Sequence, residues 1–131
     1  MDLSHVIEAA RAASEKAYAP YSGFRVGAAV LTEGGVVHAG CNVENASYGL
    51  AVCAERNAVF RMVADSVPEN RKIRLAAVVS SDAAPCFPCG ACLQVLREFG
   101  CEEVVMLESS GAPVRYPFDA LLPHAFGPES L

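Results

Sequence analysis

Two short segments carry the residue types that chemistry needs: Cys53-Ala54-Glu55 and, further along, Pro88-Cys89-Gly90-Ala91-Cys92. Cysteines three apart at the start of a helix point to one side of it. Helix N-termini lower thiol pKa values and offer N–H donors to sulfur, so three thiolates can persist around one metal ion. Pro88 fits just ahead of a helix start, where a missing N–H costs little. Zinc sites with an open coordination position use three protein ligands, whereas structural zinc sites generally use four. Cys53, Cys89 and Cys92 therefore suggest a zinc site with its fourth position open to water. Glu55, two residues after Cys53, can reach that water without binding the metal and do general acid–base work there. The plainer alternative is a structural zinc site, with Glu55 a solvated helix residue.

Three further cysteines need placing. Cys86-Phe87-Pro88-Cys89 is also a C-x-x-C, but Pro88 would disrupt a shared helical turn and Gly90-Ala91 would not, so Cys89 and Cys92 are the chosen pair. Cys86 is then a loop or core thiol. Cys41 and Cys101 fall at strand ends, where buried, inert sulfur is expected. A cysteine nucleophile paired with His5, His38 or His124 lacks any local signature. The chain opens without the charged and apolar regions of a signal peptide, so reduced thiols are expected rather than disulfides.

The elements that must position these groups follow from periodicity. Apolar residues at helical spacing predict a helix from Leu3 to Ala17, with Asp2 or Ser4 as its cap. Val26 to Leu31 and Val36 to Ala39 read as strands around the Thr32-Glu33-Gly34-Gly35 hairpin signal. A polar loop from Asn42 to Gly49 precedes a helix from Leu50 to Ala64. Arg74 to Ser80 is a continuous apolar run suited to a central strand covered on both faces. A proline-rich loop from Ser81 to Pro88 leads into a helix from Cys89 to Phe99, closed by Gly100. Glu103 to Leu107 and Val114 to Tyr116 read as strands, the second at an edge, and Phe118 to Leu122 as a short helix. This order predicts an α/β fold, a mixed sheet with helices on both faces.

The 131 residues suit one domain spanning 1–131. Apolar residues make up 53% and charged residues 19%. That excludes intrinsic disorder and leaves apolar surface for subunit contacts. Ten Lys and Arg face 15 Asp and Glu, a net charge of -5. No nucleic-acid partner and no membrane surface is expected from that balance. A soluble, cytoplasmic protein is the expectation.

At this point a family resemblance emerges. C-x-E with P-C-x-x-C is the pattern of zinc deaminases, and the chain resembles the small, single-domain, homotetrameric cytidine deaminases nearly end to end. The resemblance lies in Tyr18-Ala19-Pro20-Tyr21-Ser22-Gly23-Phe24-Arg25-Val26-Gly27-Ala28-Ala29, in the segment from Gly40 to Leu50, in the two cysteine segments with Arg56 and Gln94, and in the stretch from Leu121 to Pro128. It implies a three-layer α/β/α fold, one zinc ion per subunit on Cys53, Cys89 and Cys92, and proton transfer by Glu55. It also implies that Asn42 and Glu44 bind the ribose hydroxyls and that Phe24 packs by the nucleoside. Ala54 would join them among the substrate contacts, while Ala46, Tyr48 and Phe126 reach a neighbouring subunit's site. Alternate residues of an extended segment point the same way, which suits Asn42 and Glu44 to one sugar. Phe126, in a tail rich in Gly and Pro, is hard to bury within one subunit.

The reaction implied is hydrolytic deamination of cytidine and 2′-deoxycytidine to uridine and 2′-deoxyuridine with release of ammonia, a step of pyrimidine salvage. The alternatives are the same chemistry on a modified cytosine nucleoside of the blasticidin type, and a non-catalytic zinc-binding module. One departure stands out: the family usually has Arg after the last zinc cysteine, and this chain has Leu93. Three thiolates leave a dication net negative, so Arg56 is expected to be the main compensating donor.

Overall fold

The computed structural model describes residues 3–131. Five strands form one mixed sheet in the order β2-β1-β3-β4-β5. They are β1 (Val26–Thr32), β2 (Val37–Cys41), β3 (Ile73–Ser80), β4 (Glu103–Leu107) and β5 (Pro113–Pro117). The β3–β4 pair is parallel and the other three pairs are antiparallel. The helices are α1 (Leu3–Ser14), α2 (Ala54–Asp65), α3 (Gly90–Glu98) and the short α4 (Phe118–Leu121).

Strand alternation divides the core into two layers. Val26, Ala28 and Val30 of β1, with Ala76 and Val78 of β3, face α2 and α3 through Ala58, Met62, Leu93 and Leu96. Ala29 and Leu31, with Leu75, Ala77 and Val79, face α1 through Val6, Ile7 and Ala10. One helix thus covers one face and two cover the other, the three-layer arrangement expected. β3 lies in the middle of the sheet, paired on both edges and buried along most of its length.

Two glycines let helices lie close on the sheet. A Cβ at Gly27 would meet the Ala10 carbonyl oxygen at 1.8 Å, and one at Gly40 would meet the Ala58 nitrogen at 2.5 Å. These are backbone atoms, so no side-chain movement relieves either contact.

The first two helices are shorter than the periodicity predicts. α1 ends at Ser14 rather than Ala17, because the chain must extend for Tyr18 to donate to the Asn42 carbonyl at 3.0 Å. Of its two candidate caps, Asp2 lies outside the described residues and Ser4 lies inside the helix. α2 begins at Ala54 rather than Leu50. Val52 exchanges both backbone hydrogen bonds with Val43, at 2.9 and 3.0 Å, and this pairing holds Val52 and Cys53 extended. Gly100 closes α3 as expected, with φ of 64°.

Candidate active site

The sheet brings the two cysteine segments together at one end, where Val26 opens β1 opposite Ser80, the last residue of β3. Cys53 and Cys89 are the residues immediately before α2 and α3, both with extended backbone, and Cys92 lies in the first turn of α3. The sequence reading placed Cys53 and Cys89 within the helices. As caps they make no side-chain hydrogen bond to the helix end, which leaves both sulfurs directed at a common centre. The Sγ atoms of Cys53, Cys89 and Cys92 all lie within 4.8 Å of one another. Sulfurs bound to zinc at about 2.3 Å in a tetrahedron sit about 3.8 Å apart, so this donor set fits the ion. All six cysteines are free thiols, as a metal-binding rather than a disulfide role requires.

Charge in the cluster is already polarised. Cys53 is held below the ordinary thiol range, first by its interaction with the Cys92 thiol and then by Arg56. Cys92, the donor in that pair, is pushed up correspondingly. Arg56 Nη2 donates to Cys53 Sγ at 3.3 Å, and Cys92 also contributes to holding the guanidinium's charge. Leu93 is buried in the core between α2, α3 and the sheet. It therefore adds no charge to the sulfurs.

A cavity of about 200 Å³ opens beside the thiols, lined by Phe24, Val26, Asn42, Cys53, Ala54, Glu55, Cys86, Phe87 and Cys89. Glu55 is only 5% exposed. Burial is the main cause that pushes its carboxyl up to about 7, so it can hold or release a proton near neutrality. A cation held by the three sulfurs would pull in the opposite direction. Cys86 lines the same cavity, outside the three-sulfur group, and burial pushes its thiol up to about 11.

Asn42 and Glu44 both turn toward the loop before β1. Asn42 Oδ1 accepts from Val26 N–H and its Nδ2 donates to the Phe24 carbonyl, each at 2.8 Å. Glu44 Oε1 accepts from Tyr21 N–H at 3.0 Å and Ser22 N–H at 3.1 Å, while Oε2 accepts from the Ser22 hydroxyl. Glu44 lines a second cavity of about 290 Å³ with Tyr21, Ser22, Asn45, Tyr48 and Ala51. Tyr48 and Phe126 are 77% and 58% exposed, and Ala46 is exposed as well. Phe126 lines neither cavity; its tail is held against α3, where Gln94 Nε2 donates to the Phe126 carbonyl at 2.9 Å.

Two expectations are corrected. The first is the placing of Cys53 and Cys89 inside their helices, given above. The second is Cys41, which is not buried: it is partly exposed, and its thiol faces the Lys16 carbonyl at 3.5 Å. Its place on β2, an edge strand, explains that exposure. Cys101 is buried as expected. Sequence reasoning also missed that Phe87 and Cys86 wall the thiol cavity and that Tyr21 and Ser22 grip Glu44. The first was signalled by their position inside the proline-rich loop; the second by nothing local.

Residues 1–108 match the sequence model of the family described as the cytidine and deoxycytidylate deaminase zinc-binding region. The chain is 43% identical over 133 residues to a cytidine deaminase of Sporosarcina psychrophila, covering 100% of this chain and 96% of that protein. It is 44% identical over 119 residues to a cytidine deaminase of Mycobacterium tuberculosis H37Rv, covering 91% and 85%. The crystal structure of cytidine deaminase from Burkholderia pseudomallei superposes with a TM-score of 0.86 at 49% identity, covering 96% of this chain and 100% of that one.

Proposed function

Because the chain belongs to the cytidine and deoxycytidylate deaminase zinc-binding family, we propose that it hydrolyses the amino group from cytidine and 2′-deoxycytidine at the thiol cavity. The observation that carries this reading is Glu55, a buried carboxyl sharing one small cavity with Cys53 and Cys89. Cys53, Cys89 and Cys92 would hold zinc, which when bound would supply a Lewis acid for activating water. Glu55 moves the protons: its carboxylate takes one from the water and gives it to ring nitrogen N3 as the water oxygen bonds to C4, then takes the second from that oxygen and gives it to the amino group, whose bond to C4 breaks. Ammonia leaves and the uracil nucleoside remains, so that one water is consumed for each ammonia released. Phe24 packs against the nucleoside, Ala54 backs it at the start of α2, and the low exposure of Glu55 keeps bulk water from competing for its proton. The test is the ultraviolet absorbance of cytidine mixed with zinc-replete protein. Loss of the cytosine band with matching ammonia release is the expected result; an unchanged spectrum with zinc bound removes cytidine as the substrate.

Asn42 and Glu44 read the sugar. A carboxylate has about four lone-pair sites, and three of those on Glu44 are taken by Tyr21 and Ser22. Asn42 retains one of its two N–H donors. The spare acceptor and the spare donor together suit one hydroxyl, which donates to Glu44 and accepts from Asn42. A pair that reads a single hydroxyl tolerates loss of the 2′-hydroxyl, in keeping with both nucleosides as substrates.

Arg56 is the compensating cation at the sulfurs. Removing a hydrogen-bonding partner of a metal ligand typically costs about 10- to 100-fold in metal affinity or activity. Arg56→Ala is expected to lose zinc or turnover within that range, read by metal analysis and by rate on one sample. Full zinc and full activity in the variant would refute the role.

The functional unit is a homotetramer with its sites at subunit interfaces. Exposed Tyr48, Leu50, Phe60, Val67 and Phe126 supply apolar surface for such contacts, with Ala46, Tyr48 and Phe126 reaching a neighbour's site. A cytoplasmic role in pyrimidine salvage goes with that substrate and with thiols that stay reduced. No helix among the described residues is long and apolar enough to cross a membrane.

A further inference from the structure

Glu44 is held by the protein at its backbone and at both carboxylate oxygens. Its backbone N–H donates to the Tyr18 carbonyl at 2.8 Å, which fixes where the side chain starts. At the other end, both backbone donors fall on Oε1, while Oε2 has the Ser22 hydroxyl as its one protein donor among the described residues. The Ser22 hydroxyl is itself oriented, because its oxygen accepts from Phe24 N–H at 3.0 Å. A hydroxyl has a single proton, and with the Phe24 N–H on its oxygen that proton is directed at Glu44. The oxygen left with a free lone pair is Oε2, the one whose direction Ser22 sets. These donors also hold the Glu44 carboxyl below its ordinary range, so it stays an acceptor.

We propose that Ser22 is the positioning residue for substrate binding, aiming the remaining lone pair of Glu44 at one sugar hydroxyl and tying that aim to the loop that carries Phe24. The proposal rests on the reading that Glu44 takes the sugar. Loss of the Ser22 hydroxyl leaves Oε1 held and Oε2 undirected, so binding suffers while the proton chemistry at Glu55 does not. The same oxygen joins Glu44 to the Phe24 backbone, so that sugar recognition and the wall against the nucleoside share one set of hydrogen bonds.

The test is steady-state kinetics on the zinc-loaded enzyme with cytidine, 3′-deoxycytidine and 5′-deoxycytidine as probes. The latter two each lack one of the hydroxyls that cytidine and 2′-deoxycytidine share. With cytidine, Ser22→Ala is expected to raise KM about 10-fold, the scale of a hydrogen bond to a charged group, with kcat within about 2-fold. Ser22→Thr, which keeps the hydroxyl, restores KM. The Ser22→Ala penalty disappears with whichever probe lacks the hydroxyl that Glu44 reads, and it adds nothing in a Glu44→Ala background. If Glu44→Ala raises KM and Ser22→Ala does not, the proposal fails and the sugar reading stands. A penalty equal on all three nucleosides and additive with Glu44→Ala marks a merely structural serine and also overturns it. If Glu44→Ala leaves KM unchanged for every probe, both readings fall together.

Discussion

Glu55→Gln is expected to bind zinc fully and to lose turnover, with kcat falling by about 10²- to 10⁴-fold, the usual cost of removing a general acid–base group. The substitution preserves shape and keeps hydrogen-bonding capacity, but removes the group proposed to take and return protons. Glu55 is buried at the start of α2, on the wall of the thiol cavity, so a smaller residue would enlarge that cavity and confuse the result. A neutral amide relieves the cost of holding an ionised carboxylate away from water, so thermal stability should not fall. The zinc ligands are untouched, and metal per chain should equal that of the parent. Single-turnover rates beside metal analysis provide the check. A Glu55→Gln enzyme turning over at the parental rate would remove Glu55 from the proton path.

The second large effect concerns the sulfurs. Cys92→Ala is expected to strip the metal, and Cys86→Ala to keep it. Zinc binding by a protein site is worth on the order of 10–16 kcal/mol. One ligand's share is then about 3 kcal/mol or more, roughly a 10²-fold loss of affinity. Cys92 is buried in the first turn of α3 and is the thiol paired with Cys53, so no solvent-exposed neighbour can take its place without unwinding that turn. Cys86 lines the cavity outside the three-sulfur group, and its loss removes packing only. Zinc per chain after dialysis against a chelator separates the two variants. A zinc-free Cys86→Ala protein would show that the ligand set is wrong.

The parts of this molecule that are legible in the sequence are those fixed by local periodicity. Arg74 to Ser80 reads as a buried central strand because the run is apolar at every position that matters, and β3 occupies Ile73–Ser80. The reading of Glu103 to Leu107 coincides with β4. The three thiols of the two cysteine segments do lie together, since a three-residue spacing at a helix start leaves few alternatives. Boundaries set by distant pairing were not legible. Nothing near Leu50 announces that Val52 will pair with Val43, and nothing near Ser14 announces that Tyr18 will meet Asn42. The grip of Tyr21 and Ser22 on Glu44 is the same kind of fact: a loop contact across more than twenty positions, invisible to any periodic pattern. Cys41 shows the reverse limit. Its apolar character suggests burial, but exposure at the edge of a sheet depends on strand order, which residue type does not encode.

The division of the ligands between two helix starts, with β3 lying between them in the chain, also sets an order of events during synthesis. A ribosome adding about 5–20 residues per second delivers Cys53 roughly 2 to 7 seconds before Cys89, and a lone thiol is a poor trap for zinc. In the folded chain the three sulfurs are brought together by the pairing of β3 with β1 and the packing of α2 and α3 on one face of the sheet. Both core layers are built from side chains that make no use of the metal. The metal-stripped chain is therefore expected to keep its sheet and helices, and zinc added afterwards to restore activity without refolding, which circular dichroism beside the rate would check.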